Sequence, residues 1–77
     1  MPRGLNNWTA EDVIRFLKKY GFQHTHSRGS HFYYTGIYAK KFHQVTVPFH
    51  GKQAIKPRTF KGIIAQSGIP KESWLEK

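Results

Sequence analysis

The sequence contains no cysteine and no long apolar run. The absence of cysteine excludes disulfide frameworks, zinc sites with thiolate ligands and thiol catalysis. No apolar stretch approaches the ~20 residues that a membrane helix needs. The first seven residues also lack the apolar centre of a signal peptide. We therefore expect a cytoplasmic protein without a membrane association.

Acidic residues are scarce, and their scarcity restricts the chemistry. Thirteen Lys and Arg stand against four Asp and Glu, which gives a formal net charge of +9 with the five histidines neutral. A nuclease site with carboxylate-held metal is hard to build from so few acids, so we expect no metal and no cofactor. A balance this basic in a short chain favours a polyanionic partner, most often nucleic acid, over a merely soluble basic surface.

The chain has room for one small domain, which we predict as residues 1–77 with a loose arm at 1–7 and a globular core at 8–75. A first helix is predicted over 9–20. Thr9 and Asp12 have the spacing of a capping box, and Gly21 is the expected left-handed stop. The apolar stripe of this helix consists of Val13, Ile14, Leu17 and Tyr20.

The middle of the chain changes to strand periodicity. We predict strands over 22–27, 31–38 and 43–49, with a turn or bulge at 28–30. Because the strands are consecutive and closely connected, they favour an antiparallel meander. Strict alternation places Val45, Val47 and Phe49 on one face of the third strand.

A second helix is predicted to begin at Pro57 and to end at Gly68. Its buried stripe consists of Phe60, Ile63 and Ile64. A short turn after Pro70 would place Trp74 and Leu75 on the core. The predicted fold class is α+β, with the order helix, three-stranded antiparallel sheet, helix, and both helices on one face of the sheet.

Two basic clusters are candidate phosphate sites. Lys56, Arg58 and Lys61 crowd the start of the second helix, where the backbone amides favour an anion and the helix dipole disfavours cations. The alternative is that these long side chains simply extend into solvent. The second cluster is 28–31, in which Gly29 allows close approach of a ligand and Arg28 and Ser30 can donate to phosphate oxygens.

Histidines are the candidate proton carriers. His31 would stand at the start of the second strand, beside cations, where an imidazole could act as general acid or base in attack of a ribose 2′-OH on the adjacent phosphate. The alternative is an ordinary surface histidine beside a turn. His50 follows the third strand near the second-helix loop, where it would hold RNA or structure the loop. His24 and His26 are two residues apart on a predicted strand, so they should face the same way and could begin a metal site. A third ligand for that site is not evident in the sequence.

The aromatic run 32–34 is divided by strand alternation. Phe32 and Tyr34 should lie on one face and Tyr33 on the other, so at least one set belongs to the core. Stacking of these rings on RNA bases is the alternative function.

Several segments, taken in order, resemble the HicA-type toxins. The segments are Gly21-Phe22, Arg28-Gly29-Ser30-His31, Thr46-Val47-Pro48-Phe49-His50-Gly51, Lys56-Pro57-Arg58-Thr59 and Ala65-Gln66-Ser67-Gly68-Ile69. The likeness extends from about Thr9 to Leu75. It implies a fold similar to double-stranded RNA-binding domains and the activity of an mRNA interferase from a toxin–antitoxin pair. It also implies that His31 is the catalytic residue and that a HicB-type antitoxin covers the active site.

Two positions depart from the family pattern. Arg58 stands where the family commonly has Gly, which adds charge at the proposed phosphate site, and Phe32 stands where a second polar residue often follows the catalytic histidine. The residues expected to bind RNA are Arg28, Gly29, Ser30, His50, Lys52, Lys56, Arg58 and Lys61.

The sequence therefore predicts a metal-independent ribonuclease toxin that cleaves mRNA. We expect a monomer alone and a larger assembly with the antitoxin. Two alternatives stay open at this point: a non-catalytic module that binds double-stranded RNA, and a partner-binding protein whose basic surface only engages an acidic antitoxin.

Overall fold

The computed structural model describes residues 7–75, so the predicted arm lies outside the described residues except for Asn7. The elements in chain order are α1 (Ala10–Lys19), β1 (Gln23–Arg28), β2 (His31–Tyr38), β3 (Lys41–Pro48), α2 (Pro57–Ser67) and α3 (Lys71–Leu75). The predicted α+β order of helix, three-stranded antiparallel sheet and helix is confirmed. Within the described range, no helix is long and apolar enough to cross a membrane.

Both ends of α1 follow the predicted local chemistry. The amide of Asp12 donates to the Thr9 hydroxyl over 3.2 Å, and the Thr9 amide donates to the Asp12 carboxylate over 3.0 Å, which completes the capping box. At the other end, Gly21 has φ 86°, and the Phe22 amide donates to the Leu17 carbonyl over 3.0 Å. This hydrogen bond belongs to a Schellman motif, which satisfies carbonyls that the helix end leaves unpaired.

The sheet has the order β1-β2-β3 and two different faces. Tyr34, Val45 and Val47 are buried in one core with residues of both α1 and α2, so both helices pack on this helix-covered face, as predicted. Burial also raises the pKa of the Tyr34 phenol, because the phenolate loses hydration. The opposite face, called here the open face, carries Ile37 and Phe42, which are 69% and 67% exposed.

β1 contains an irregularity that the sequence did not predict, in addition to the predicted turn at 28–30. The register advances from His24↔Tyr34 to His26↔Tyr33, so Thr25 is an extra residue and forms a β-bulge. At 28–30, where we predicted a turn or bulge, the chain makes a two-residue turn through Gly29, whose φ is 60°. A glycine with positive φ at the first central position is typical of a type II′ hairpin turn.

The β2–β3 hairpin is tighter than the sequence suggested. The third strand begins at Lys41 rather than residue 43, because Ala39 and Lys40 alone form the turn, with φ 55° and 67°. Two successive positive φ values match a type I′ turn, which suits the twist of a hairpin but normally takes Asn or Gly. Neither Ala nor Lys is favoured there, so this turn is locally strained.

We expect Lys40→Gly to stabilise the protein by about 0.5–1 kcal/mol. The glycine removes the Cβ penalty of the left-handed conformation, and part of the gain is lost to the greater freedom of the unfolded chain. Urea unfolding measures the change. Lys41→Gly is the matched control: Lys41 is paired in β3 without a positive φ, so glycine there should destabilise instead. Equal effects of both substitutions would contradict the strained-turn interpretation.

An aromatic cluster forms the centre of the core. Trp8, Phe16, Phe60 and Trp74 are at most 2% exposed. Trp74 stacks on Phe16 with ring centroids 3.9 Å apart and meets Trp8 and Phe60 edge-on. The predicted docking of the last short helix on the core is confirmed by Trp74, whose indole Nε1 is buried without a hydrogen-bond partner in the described structure.

Candidate active site

A groove of about 340 Å³ lies where β2 begins and β3 ends. It is open on one side and brings together two imidazoles, an ammonium, a hydroxyl and an amide. The lining residues are His31, Pro48, His50, Gln53, Ala54, Ile55, Lys56 and Thr59.

His31 is positioned by the β1–β2 hairpin and by the end of β3. It pairs with Arg28 across the two-residue turn and with Pro48 on the other side. The amide of Phe49 donates to the Ser30 carbonyl over 2.7 Å, which extends the β2–β3 pairing past Pro48 and ties the turn to β3. A histidine held on the first residue of a central strand has a defined direction, which proton transfer requires.

The opposite wall of the groove is the segment between β3 and α2. It starts with a turn in which the His50 carbonyl accepts from the Gln53 amide over 3.3 Å, with Gly51 at φ 63°. Its far end is fixed to the core, because the Ile55 amide donates to the carbonyl of buried Trp8 over 2.6 Å. The loop that contains His50 is therefore held by backbone hydrogen bonds at its start and at its far end.

The start of α2 supplies the positive charge. Lys56 is the N-cap residue, and its side chain makes no capping hydrogen bond, so the N-cap side chain leaves the first-turn amides unsatisfied. The first turn of this helix contains no acid. Within residues 7–75, the ion pair that forms joins Arg15 and Asp12, and both residues lie on α1. No carboxylate of this range pairs with the bases near the groove. An anion is therefore favoured at this end of the groove.

The structure brings together three of the predicted site residues: His31, His50 and Lys56 line the same groove. Arg28, Gly29 and Ser30 form the hairpin beside it, and Lys52 lies in the exposed turn after His50. The remaining two, Arg58 and Lys61, are exposed and three residues apart on α2, outside the groove lining.

Sequence reasoning missed five lining residues. Pro48, Ala54 and Ile55 shape the groove, while Gln53 and Thr59 add polar groups to it. Thr59 could have been predicted from the sequence, since it lies three residues after Lys56 and therefore on the same side of the helix. Gln53 carried none, because its place depends on the turn at His50.

The expectation that His24 and His26 face the same way is wrong. The bulge at Thr25 shifts the alternation, so the two rings lie against different sides of β2. His24 contacts Phe32 and Tyr34, whereas His26 stacks on Tyr33. Across the described residues, no three His, Asp or Glu side chains are grouped so as to hold a metal ion.

Comparison with known families identifies the class of protein to which the chain belongs. Residues 10–69 match the family model described as HicA toxin of bacterial toxin-antitoxin. The chain belongs to the HicA toxin family. Every predicted site residue, from Arg28 to Lys61, falls inside the matched range, while Trp8 and Trp74 of the core lie outside it. No curated protein and no solved structure gives a significant match to the chain.

Membership in the HicA family identifies a toxin of a toxin–antitoxin pair, with a ribonuclease class of activity. An RNA substrate and an antitoxin partner follow from that class. The likeness to double-stranded RNA-binding domains stays a prediction.

Proposed function

We propose that this HicA toxin is a metal-independent endoribonuclease that cleaves mRNA, with His31 as general acid/base and a HicB-type antitoxin as its inhibitor. The single observation that supports it best is that His31 and His50 line one groove together with Lys56. Two imidazoles and an ammonium are sufficient groups for proton transfer and charge stabilisation at a phosphodiester.

The proposed reaction begins when the neutral imidazole of His31 removes the proton from a ribose 2′-OH. The 2′ oxygen then forms a bond to the adjacent phosphorus, and the bond from phosphorus to the 5′ oxygen breaks. The leaving 5′ oxygen takes up a proton, for which His50 is the candidate donor. The products are a 2′,3′-cyclic phosphate and a 5′-hydroxyl, and no metal or other cofactor enters the balance.

The bases around the groove are assigned to RNA binding. Lys56 would hold the reacting phosphate and stabilise the charge that develops on its oxygens. Arg28 and Lys52 would contact neighbouring phosphates from the two turns, and Arg58 and Lys61 from the exposed side of α2. Gly29 would permit close approach of the backbone, and Ser30 would orient the substrate.

The antitoxin would inhibit the toxin by covering this same surface. The groove is open, with Lys56 in its wall and the basic residues Arg28 and Lys52 beside it, so a HicB-type antitoxin with acidic side chains would cover it and exclude RNA by pairing with the same charges. Loss of antitoxin would expose the groove and start mRNA cleavage.

The test is cleavage of an unstructured RNA by the wild-type protein in excess EDTA. We expect cleavage with 2′,3′-cyclic phosphate ends, and we expect an RNA with a single 2′-deoxyribose at the cleaved position to resist at that position. Cleavage of all-deoxy DNA would contradict the 2′-OH mechanism. Binding with a steep salt dependence and no cleavage would replace the proposal with a non-catalytic RNA-binding module.

We expect Lys56→Ala to weaken RNA binding and to reduce the salt dependence of the binding constant by about 0.7 in a log–log plot, as loss of one phosphate contact predicts. Fluorescence anisotropy over a salt series measures both. Lys18→Ala is the matched control, since Lys18 is an exposed lysine on the outer side of α1, in a different surface depression. If Lys18→Ala reduced the salt dependence of the binding constant equally, Lys56 would contribute only to the overall charge of the protein and not to a localised RNA site.

A further inference from the structure

A stacked pair of rings lies on the open face of the sheet, beside the candidate active site. The rings of His26 and Tyr33 have centroids 4.3 Å apart and planes 6° from parallel. His26 is exposed and Tyr33 is half-buried. The pair exists because the bulge at Thr25 places His26 opposite Tyr33 in the register. Bulges often re-aim side chains next to functional sites. We call this pair the His26–Tyr33 stack.

The orientation of His26 is set by hydrogen bonds. The Thr25 hydroxyl donates to the Tyr33 carbonyl over 3.1 Å, and the same oxygen lies 3.2 Å from Nδ1 of His26. A hydroxyl has one proton to donate, so the proton in the second hydrogen bond comes from Nδ1. The neutral ring therefore carries its proton on Nδ1 and leaves Nε2 as an acceptor. A bound group meets a ring already held in place.

The strand register connects this stack to His31. Arg28 follows His26 by two residues on β1, His31 precedes Tyr33 by two residues on β2, and Arg28 pairs with His31. Residues two apart on a strand share a face and are separated by about 7 Å. The open face therefore carries the rings of His26 and Tyr33. Two residues further along the two strands it carries Arg28 and His31, so that a cation lies beside the candidate catalytic imidazole.

We propose that the His26–Tyr33 stack binds a base of single-stranded RNA, in the nucleotide next to the phosphate positioned at His31. This inference rests on the proposed ribonuclease function. Aromatic side chains next to cations are the usual means by which proteins hold unpaired bases. Arg28 supplies the positive neighbour, and Nε2 of His26 accepts a hydrogen bond from a ribose hydroxyl or a base amine of the same nucleotide.

The choice of RNA over a protein partner depends on this chemistry. A flat pair of parallel rings beside an arginine matches a base attached to a phosphate. An apolar protein surface would instead fit Ile37 and Phe42, which lie on the same face at the other end of β2 and are largely exposed. The two ends of the open face thus differ in what they can bind.

The experiment measures binding of a fluorescent oligouridine to His31→Ala protein, so that cleavage does not interfere. We expect Tyr33→Leu and His26→Ala each to weaken binding about ten-fold. The salt dependence should stay unchanged, because no phosphate contact is removed. Phe42→Ala is the matched control, an exposed aromatic residue of the same face, and should bind as the parent does. Thermal unfolding confirms that each variant is folded.

A second arm identifies the contact directly. An abasic ribose introduced at one position after another of the oligonucleotide should weaken binding most at a single position. In the Tyr33→Leu protein, the abasic substitution at that position should cause no further loss, since the same contact is already absent. Fully additive losses at every position would overturn the inference.

The outcomes separate this inference from the ribonuclease proposal. If wild-type protein cleaves RNA and Tyr33→Leu binds and cleaves normally, the stack is not a base site while the ribonuclease proposal stands. If no cleavage occurs but binding depends on the stack, the base site stands without the enzyme. Normal RNA binding together with weakened antitoxin binding by Tyr33→Leu would assign the stack to a protein partner and overturn the inference.

Discussion

His31→Ala should lower the RNA cleavage rate by two to four orders of magnitude and leave RNA binding nearly unchanged. This is the range of rate lost when a general acid or base is removed. His31 is exposed, and its backbone lies in a strand that Ala can also occupy, so the variant should fold. Single-turnover cleavage in EDTA, with anisotropy for binding, measures the two effects separately.

The control for this prediction is His43→Ala. His43 lies on the helix-covered side of β3, where its ring fills the space beside Gly68, away from the groove. Its loss should reduce stability without a comparable effect on the cleavage rate of the folded protein. A rate for His31→Ala within ten-fold of wild type would contradict a proton-transfer role for His31. An inactive His43→Ala protein that is fully folded would show that histidine loss is not specific to the groove.

Trp74→Ala should lower the free energy of unfolding by about 3–5 kcal/mol, the usual range for deletion of a large aromatic side chain from a core. The Trp74 side chain is fully buried and contacts three other aromatic rings. Small domains have about 0.05–0.15 kcal/mol of stability per residue, so this loss removes a large part of the total. Urea unfolding followed by circular dichroism measures it.

Two further variants make the core prediction specific. Glu72→Ala changes an exposed residue of the same short helix and should alter stability by less than about 0.5 kcal/mol. Trp74→Phe retains a ring to stack on Phe16 and removes the buried, unpartnered Nε1 donor, so it should cost less than Trp74→Ala. Equal losses for Trp74→Ala and Glu72→Ala would contradict the docking of α3 as a source of stability.

The ends of the helices could be predicted from the sequence, because local chemistry determines them. The capping residues Thr9 and Asp12 define the start of α1, and glycines that can adopt positive φ end α1 and α2. These signals act over a few residues, so they do not depend on the rest of the fold. Phe16, which is buried, was nevertheless absent from the predicted stripe of α1, because the helix packs on a wider arc than the stripe indicated.

The sheet was predictable in order but not in detail. Alternation correctly separated Tyr34 from Tyr33 and placed Val45 and Val47 in the core. It failed at Thr25, because one inserted residue reverses the facing of everything before it and has no local sequence marker here. The β2–β3 connection was predicted at the right place but too long, since Ala39 and Lys40 are not residues that favour a two-residue type I′ turn.

For the candidate site too, the sequence indicated the individual segments but not how they come together. Charge and the order of motifs indicated a nucleic-acid partner, the HicA family and the separate segments that contain His31, His50 and Lys56. Motif order alone does not say which segments meet in space. Only the pairing of His31 with Pro48 and the hydrogen bond from Ile55 to Trp8 bring these three residues to one groove.

The sequence by itself thus determined the fold class, the strongly positive charge and the family, because these depend on composition, periodicity and short motifs. The tertiary structure alone decided which imidazoles share a groove, that Arg58 and Lys61 stay outside it, and that His26 stacks on Tyr33. The physical reason is that these juxtapositions come from strand register, a bulge and long-range backbone hydrogen bonds. Such contacts join residues distant in the chain and carry no local signature.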